Sequence, residues 1–223
     1  MTAIPRQRRA ISRVVPFVLA ALALIAFHRP ILTEAGRYMA PTVTDRADVL
    51  VLEGNNVIDI AFLDAGMILL SQGRAKRMVV VLLYPLTAGP DLELERECAR
   101  LIADESPILG LRQGTVSILS VPIAGHPITR SEAMLVTDLL HREGVRSAIL
   151  FCDGFHTRRS IAAYRREASR LGLNIVPFAS FTKYNGDSWW TQSAGIDDFV
   201  EQSSKFIYYL IRGYVPVTSL WSS

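Results

Sequence analysis

Cysteine is scarce: Cys98 and Cys152 are the only two in 223 residues, which excludes a disulfide scaffold. Neither has metal-ligand spacing, and no metal site is expected. Cys152 ends an apolar run and reads as a small buried hydrophobe; nothing argues for a disulfide between the two. The usual nucleophile and phosphate motifs are missing as well. There is no Gly-x-Ser-x-Gly elbow, no Asp-x-Asp signature of aspartyl-phosphate phosphatases, and no P-loop. Ser117 and Ser120 lie in or beside an expected strand. Any chemistry therefore runs by direct water attack or by transfer between bound ligands. A strong charge bias is also lacking. The net charge is +3, and Arg6, Arg8, Arg9 and Arg13 stand before the first apolar segment, so the remainder is slightly acidic. With no nucleic-acid-binding motif in view, nucleic acid is excluded as a partner. Internal repeats and low-complexity segments are absent.

One stretch has no charge at all. Val14–Phe27 is wholly apolar apart from Pro16, and with Arg13 and Arg29 snorkelling the segment spans a bilayer. A cleaved signal peptide is the competing reading, but the candidate site after Ala40 has Tyr38 at −3 and Pro41 at +1. An uncleaved transmembrane anchor over 14–32 is expected, behind a basic cytoplasmic segment at 1–13. The rest of the chain then lies outside the cytoplasm, in the periplasm of a bacterium with two membranes. Residues 33–46 read as a linker, 47–194 as the main domain, and 195–223 as an aromatic helix and tail.

Five apolar runs fit buried strands: Val49–Leu52, Met78–Leu83, Val116–Val121, Ala148–Cys152 and Asn174–Val176. Helical patterns separate them, among them Ile58–Leu69 with Asn56 as its cap, Leu92–Ala103, Thr129–His141 and His156–Leu171. This alternation predicts an α/β fold, a Rossmann-like and mostly parallel sheet of about five strands with helices on both faces, preceded by one transmembrane helix.

Candidate functional residues gather where strands hand over to helices. His156, Arg158 and Arg159 follow the fourth strand, and Arg158 stands three residues before Ile161 on the expected sheet-facing stripe. Two guanidinium groups and an imidazole there suit an anion, with His156 as a general acid. Glu53 ends the first strand, as a general base, as a carboxylate for a metal or ribose hydroxyl, or as a plain strand-end charge. Asn55 and Asn56 offer polar contacts. Thr129 and Glu132 have capping-box spacing, yet the same helix start faces the crevice and can hold an anion. His126 is a proton shuttle or an exposed loop residue. His141, near a helix C-terminus, is structural. Trp189, Trp190 and Phe206–Tyr214 concentrate aromatics near the end, either at a membrane interface or packed on the sheet.

The order of these motifs resembles the SanA/YdcF/ElyC-like bacterial envelope proteins over about Ala47 to Gly213. Thr129-Arg130-Ser131-Glu132-Ala133 resembles that family's Thr-x-x-Asn-Ala helix start, and Phe155-His156-Thr157-Arg158-Arg159 its Tyr-His-x-x-Arg turn. Trp190, Lys205, Tyr209 and Gly213 resemble its tail. The first half departs: Glu53-Gly54-Asn55-Asn56 replaces a glycine-rich turn, Leu83-Tyr84-Pro85 replaces Ser-Gly-Gly, and Val121-Pro122-Ile123 replaces an acidic position. The resemblance implies a membrane-anchored protein of cell-envelope biogenesis, for peptidoglycan or surface polysaccharide. Its partner would be an anionic small molecule or a lipid-linked precursor, and its activity that of a hydrolase or transferase. The departures motivate an alternative, a non-catalytic module supporting other envelope machinery. A nucleotide or S-adenosylmethionine-like ligand follows only from the fold analogy, and no cofactor is assigned.

Overall fold

Side chains alternate across a strand, so a run buried on both sides supplies two cores at once. The computed structural model describes residues 27–125 and 127–221, with Asn55 described by its backbone alone. Residues 27–39 are helical (α1). The strands are β1 (Ala47–Asn55), β2 (Ala75–Pro85), β3 (Val116–Ile123), β4 (Ser147–Asp153) and β5 (Asn174–Ser180). They form one parallel sheet in the order β3-β2-β1-β4-β5. Helices α2 (Ile60–Ser71) and α3 (Leu92–Ile108) pack on Leu50, Leu52, Met78 and Val80. On the other face, α4 (Ile128–Arg142), α5 (Thr157–Ala168) and α6 (Ser193–Ile211) pack on Val49, Val51, Val79 and Val81. This is the expected Rossmann-like α/β arrangement, and each of the five anticipated strands is present. The chain winds outward in opposite directions from β1 and β4, so a crevice opens between their carboxyl ends.

Two expectations change. The presumed linker at 33–46 is ordered: Met39 is buried, the Trp189 indole N–H donates to the Leu32 carbonyl at 3.0 Å, and the Val43 N–H donates to Pro177 O at 2.9 Å. Asn56 does not cap α2. Asp59 does, accepting the Phe62 N–H at 3.2 Å, because the chain turns once more before the helix begins. Of the two readings of the aromatic helix near the end, packing on the sheet is seen at Phe206 and Tyr209 of α6, which sit in the same core as α4 and α5.

Among the described residues no helix is long and apolar enough to cross a membrane. The basic segment at 1–13, and the expected anchor as far as residue 26, lie outside the described residues.

Candidate functional site

The crevice is a cavity of about 950 Å³ at the β1/β4 switch point. Its floor is built by two local devices. In β1 strand alternation puts Glu53 on the face of Val49 and Val51, toward α4 and α5, and the pairing with β2 slips just there, between Leu52 and Asn55. Gly54 is needed there because an added Cβ would lie 2.7 Å from Leu83 Cδ2 and 2.9 Å from Val81 Cγ1. After β4 the chain makes a 3-10 turn over Gly154–His156, with Gly154 at φ +48°. The Phe155 N–H donates to Asp198 of α6 at 3.3 Å, and the Thr157 hydroxyl donates to Gly154 O at 2.6 Å. Phe155 itself is fully buried among Phe181, Tyr184, Trp189 and Phe199, which fixes the turn and delivers the next residue, His156, to the floor.

His156 Nε2 lies 2.8 Å from Glu53 Oε1, and His156 Nδ1 lies 2.5 Å from an Arg159 Nη2. Gln202 Oε1 stands 3.3 Å from the same Nδ1. The Ser160 hydroxyl also donates to Glu53. Burial pushes the Glu53 carboxyl up, but His156 and the Ser160 hydroxyl outweigh it and hold the group below its ordinary range. Two buried atoms of this line, Glu53 Oε2 and Arg159 Nε, have no hydrogen-bond partner among the described residues.

Glu132 is not a capping residue. Helix α4 begins at Ile128 after Pro127, with no side-chain cap, so Thr129 and Glu132 fall inside the helix and both are buried. Glu132 Oε1 accepts the Gly54 N–H at 2.8 Å and the Tyr164 hydroxyl at 2.9 Å, tying the end of β1 to α4 and α5. Burial, and then the charge of Glu53, push the Glu132 carboxyl up to about 8. The site therefore holds a carboxylate and a carboxylic acid side by side, a pairing that separates base from acid. A pH dependence of stability follows. The folded state keeps the Glu132 proton to about 8, whereas the ordinary value is 4.5, so its contribution is complete below 4.5 and is lost as pH rises through about 8. Denaturant midpoints are expected to fall across that window, and Glu132→Gln is expected to flatten the fall, since the amide carbonyl still accepts from Gly54.

Arg158 is not at the site. It is buried, donates to Ser219 O at 2.6 Å and Leu220 O at 3.1 Å, and lies over the Tyr38 ring at 4.1 Å. The 3-10 turn sets the phase of α5 so that Arg158 meets the C-terminal tail instead of the strand ends, while Ile161 packs in the core as expected. Arg159, one residue on, is the cation of the crevice floor. Lys205 is the other cation lining the cavity, and it is paired with Glu201. Against them stand the carboxyl groups of Glu53, Asp59, Glu132, Asp153, Asp198 and Glu201, so the cavity is acidic overall. Asn56 and Thr129 line it; the Asn55 side chain and His126 lie outside what the structure describes.

Sequence reasoning missed Ser160, Gln202 and Asp198. Ser160 and Tyr164 follow His156 at intervals of four, one face of α5, and that spacing was the available signal. Gln202 and Asp198 come from α6, whose approach no local pattern announces. Cys98 and Cys152 are free and buried in different cores. Burial pushes the Cys98 thiol up to about 11 and the Cys152 thiol well above its ordinary value, so neither is a nucleophile. Among the described residues no group of His, Cys, Asp and Glu side chains is placed to hold a metal.

Fold and site define a Rossmann-like α/β protein with a carboxylate–imidazole–guanidinium line at its switch point. No family model matches the chain, and no curated protein does. A solved structure of a universal stress protein family member from Burkholderia pseudomallei is similar at 15% identity, covering 59% of this chain and 96% of that one, with a TM-score of 0.34. At that score the likeness carries no argument, and the fold assignment rests on the strand order and pairing above.

Proposed function

We propose that this chain is a membrane-tethered, extracytoplasmic protein of the bacterial envelope, of the SanA/YdcF/ElyC-like kind that its motifs resemble. Its crevice binds the sugar–phosphate part of a peptidoglycan or surface-polysaccharide precursor. The observation that carries this reading is the buried line Glu53–His156–Arg159 on the floor of a cavity of about 950 Å³, with Glu53 Oε2 and Arg159 Nε unpartnered among the described residues. Sugar hydroxyls donate to carboxylates, and Tyr84, Tyr208 and Tyr209 line the same cavity. Arg159 meets one acidic group of the ligand, which fits a single phosphate better than a polyanion. Glu53, ionised, accepts a proton from an attacking water or hydroxyl, while Glu132, protonated, donates to a leaving oxygen. Binding without turnover is the second reading, favoured by one specific feature: both ring nitrogens of His156 are already engaged by protein groups.

Calorimetry on the full chain in detergent, with N-acetylglucosamine 1-phosphate, a uridine diphosphate amino sugar and S-adenosylmethionine, tests the ligand class. The sugar phosphates are expected to bind, and Arg159→Ala to weaken them about tenfold or more, the loss of one charge-assisted hydrogen bond. Binding of S-adenosylmethionine alone, or of none of the three, contradicts the proposal.

A further inference from the structure

Helix α6 has three faces. Phe199, Phe206 and Tyr209 pack on the core, and Glu201, Gln202, Lys205 and Tyr208, with the edge of Tyr209, line the crevice. The third face is apolar and exposed: Ile196 is 42% exposed, Val200 57%, Ile207 54% and Ile211 78%, with Ser204 between them. At about 100° per residue these positions fall within about 80° of arc, one stripe along a helix about 28 Å long. Among the described residues, neither the core nor the crevice uses this stripe.

The elements beside it continue the pattern. Phe199, at one edge of the stripe, stacks on Trp189 at 4.1 Å, and Trp189 is bonded to α1 through Leu32 O. On α1, Phe27 and Ile31 are 60% and 50% exposed. The C-terminal tail is pinned to α1 through Arg158 and Tyr38, and it leaves Val217 59% and Trp221 77% exposed. Three mutually connected elements thus carry unpartnered apolar side chains. The exposed cations Arg29 and Arg212 lie in sequence beside Ile31 and Ile211.

We infer that this α1–α6–tail surface lies on an anionic lipid bilayer. The occupant is identified by where the chain leads: the charge-free segment at 14–27 runs directly into α1, so a membrane that takes this segment is brought to the end of α1, one of the three elements that carry the exposed apolar side chains. Exposed Trp and Tyr with flanking Arg are the side chains that settle at the headgroup level. Because α6 bears the stripe on one face and lines the crevice with the next, the crevice mouth opens beside the lipid surface. The inference rests on the tether of the proposed function and not on its ligand.

The test uses the full chain in vesicles of phosphatidylethanolamine and phosphatidylglycerol. Ile207→Cys and Ile211→Cys are labelled with an environment-sensitive fluorophore, with Ile108→Cys on α3 as control, a position 76% exposed on the opposite face of the sheet. Cys98 and Cys152, being buried, leave the introduced thiol as the reactive one. Labels at 207 and 211 are expected to shift to the blue and to be quenched by nitroxide lipids, while the label at 108 does neither. Equal, water-like emission at all three positions overturns the inference. So does a blue shift at 207 and 211 without lipid quenching, which reports coverage by a second copy or by residues 1–26. Sugar-phosphate binding by the same labelled proteins separates failure of this surface from failure of the crevice reading.

Discussion

Phe155→Ala is expected to destabilise the protein by about 4 kcal/mol, the upper part of the range for a buried aromatic in a packed core. Phe155 is completely buried, with ring centroids 5.1 Å from Phe199, 5.3 Å from Phe181 and 5.5 Å from Trp189. Truncation leaves a ring-sized void where β4, the 3-10 turn, α1 and α6 meet, and the aromatics around it lose their edge-to-face contacts. Domain stabilities run to about 5–15 kcal/mol, so the loss is a large share of the total. Urea unfolding is the measurement, and a midpoint close to the native one would contradict the packing described. Because His156 follows Phe155 directly, the same change is expected to loosen the crevice floor and weaken ligand binding even in the fraction that stays folded.

Arg158→Ala is expected to cost about 3 kcal/mol, and its pattern is more telling than its size. The side chain is the shared fastening of the tail and α1, through two carbonyls on one side and the Tyr38 ring on the other. Removing it leaves the Ser219 and Leu220 carbonyls without that donor. Hydrogen exchange should quicken in α1 and over Pro216–Trp221 while β1, β4 and α4 keep their protection. Lysine is expected to rescue little, since one ammonium does not reproduce the planar group that serves both carbonyls and the ring. Uniform acceleration across the sheet would mean that Arg158 supports the whole core instead. Its neighbour Arg159 provides the contrast: the same substitution there should spare the tail and act on binding.

The difference between these adjacent arginines shows where the sequence was legible. The five strands were readable because a parallel sheet buried on both faces demands unbroken apolar runs, and Leu50–Leu52, Met78–Leu82 and Ala148–Cys152 supply them. Placing Glu53 and His156 at the carboxyl edge followed from the strand ends alone. The side chain that joins them was harder. Helical phase in α5 is set by the Gly154–His156 turn and by a tail about 60 residues further on, as the Arg158–Ser219 bond shows, and neither is local. Thr129-x-x-Glu132 matched a capping pattern, yet Gly54 and Tyr164 draw the Glu132 carboxyl inward. Apolar residues before Gly36 read as anchor and linker, because the indole of Trp189, more than 150 positions away, is what fixes Leu32.

Everything chemical in this account depends on Glu53 and Glu132 sharing one crevice in opposite protonation states. Carbon-13 titration of the two side-chain carboxyls in the full chain measures that directly. Glu132 is expected to titrate near 8 and Glu53 below the ordinary value of 4.5. Two carboxyls titrating together near 4.5 would contradict it, and would leave the crevice with charge but no separated acid and base.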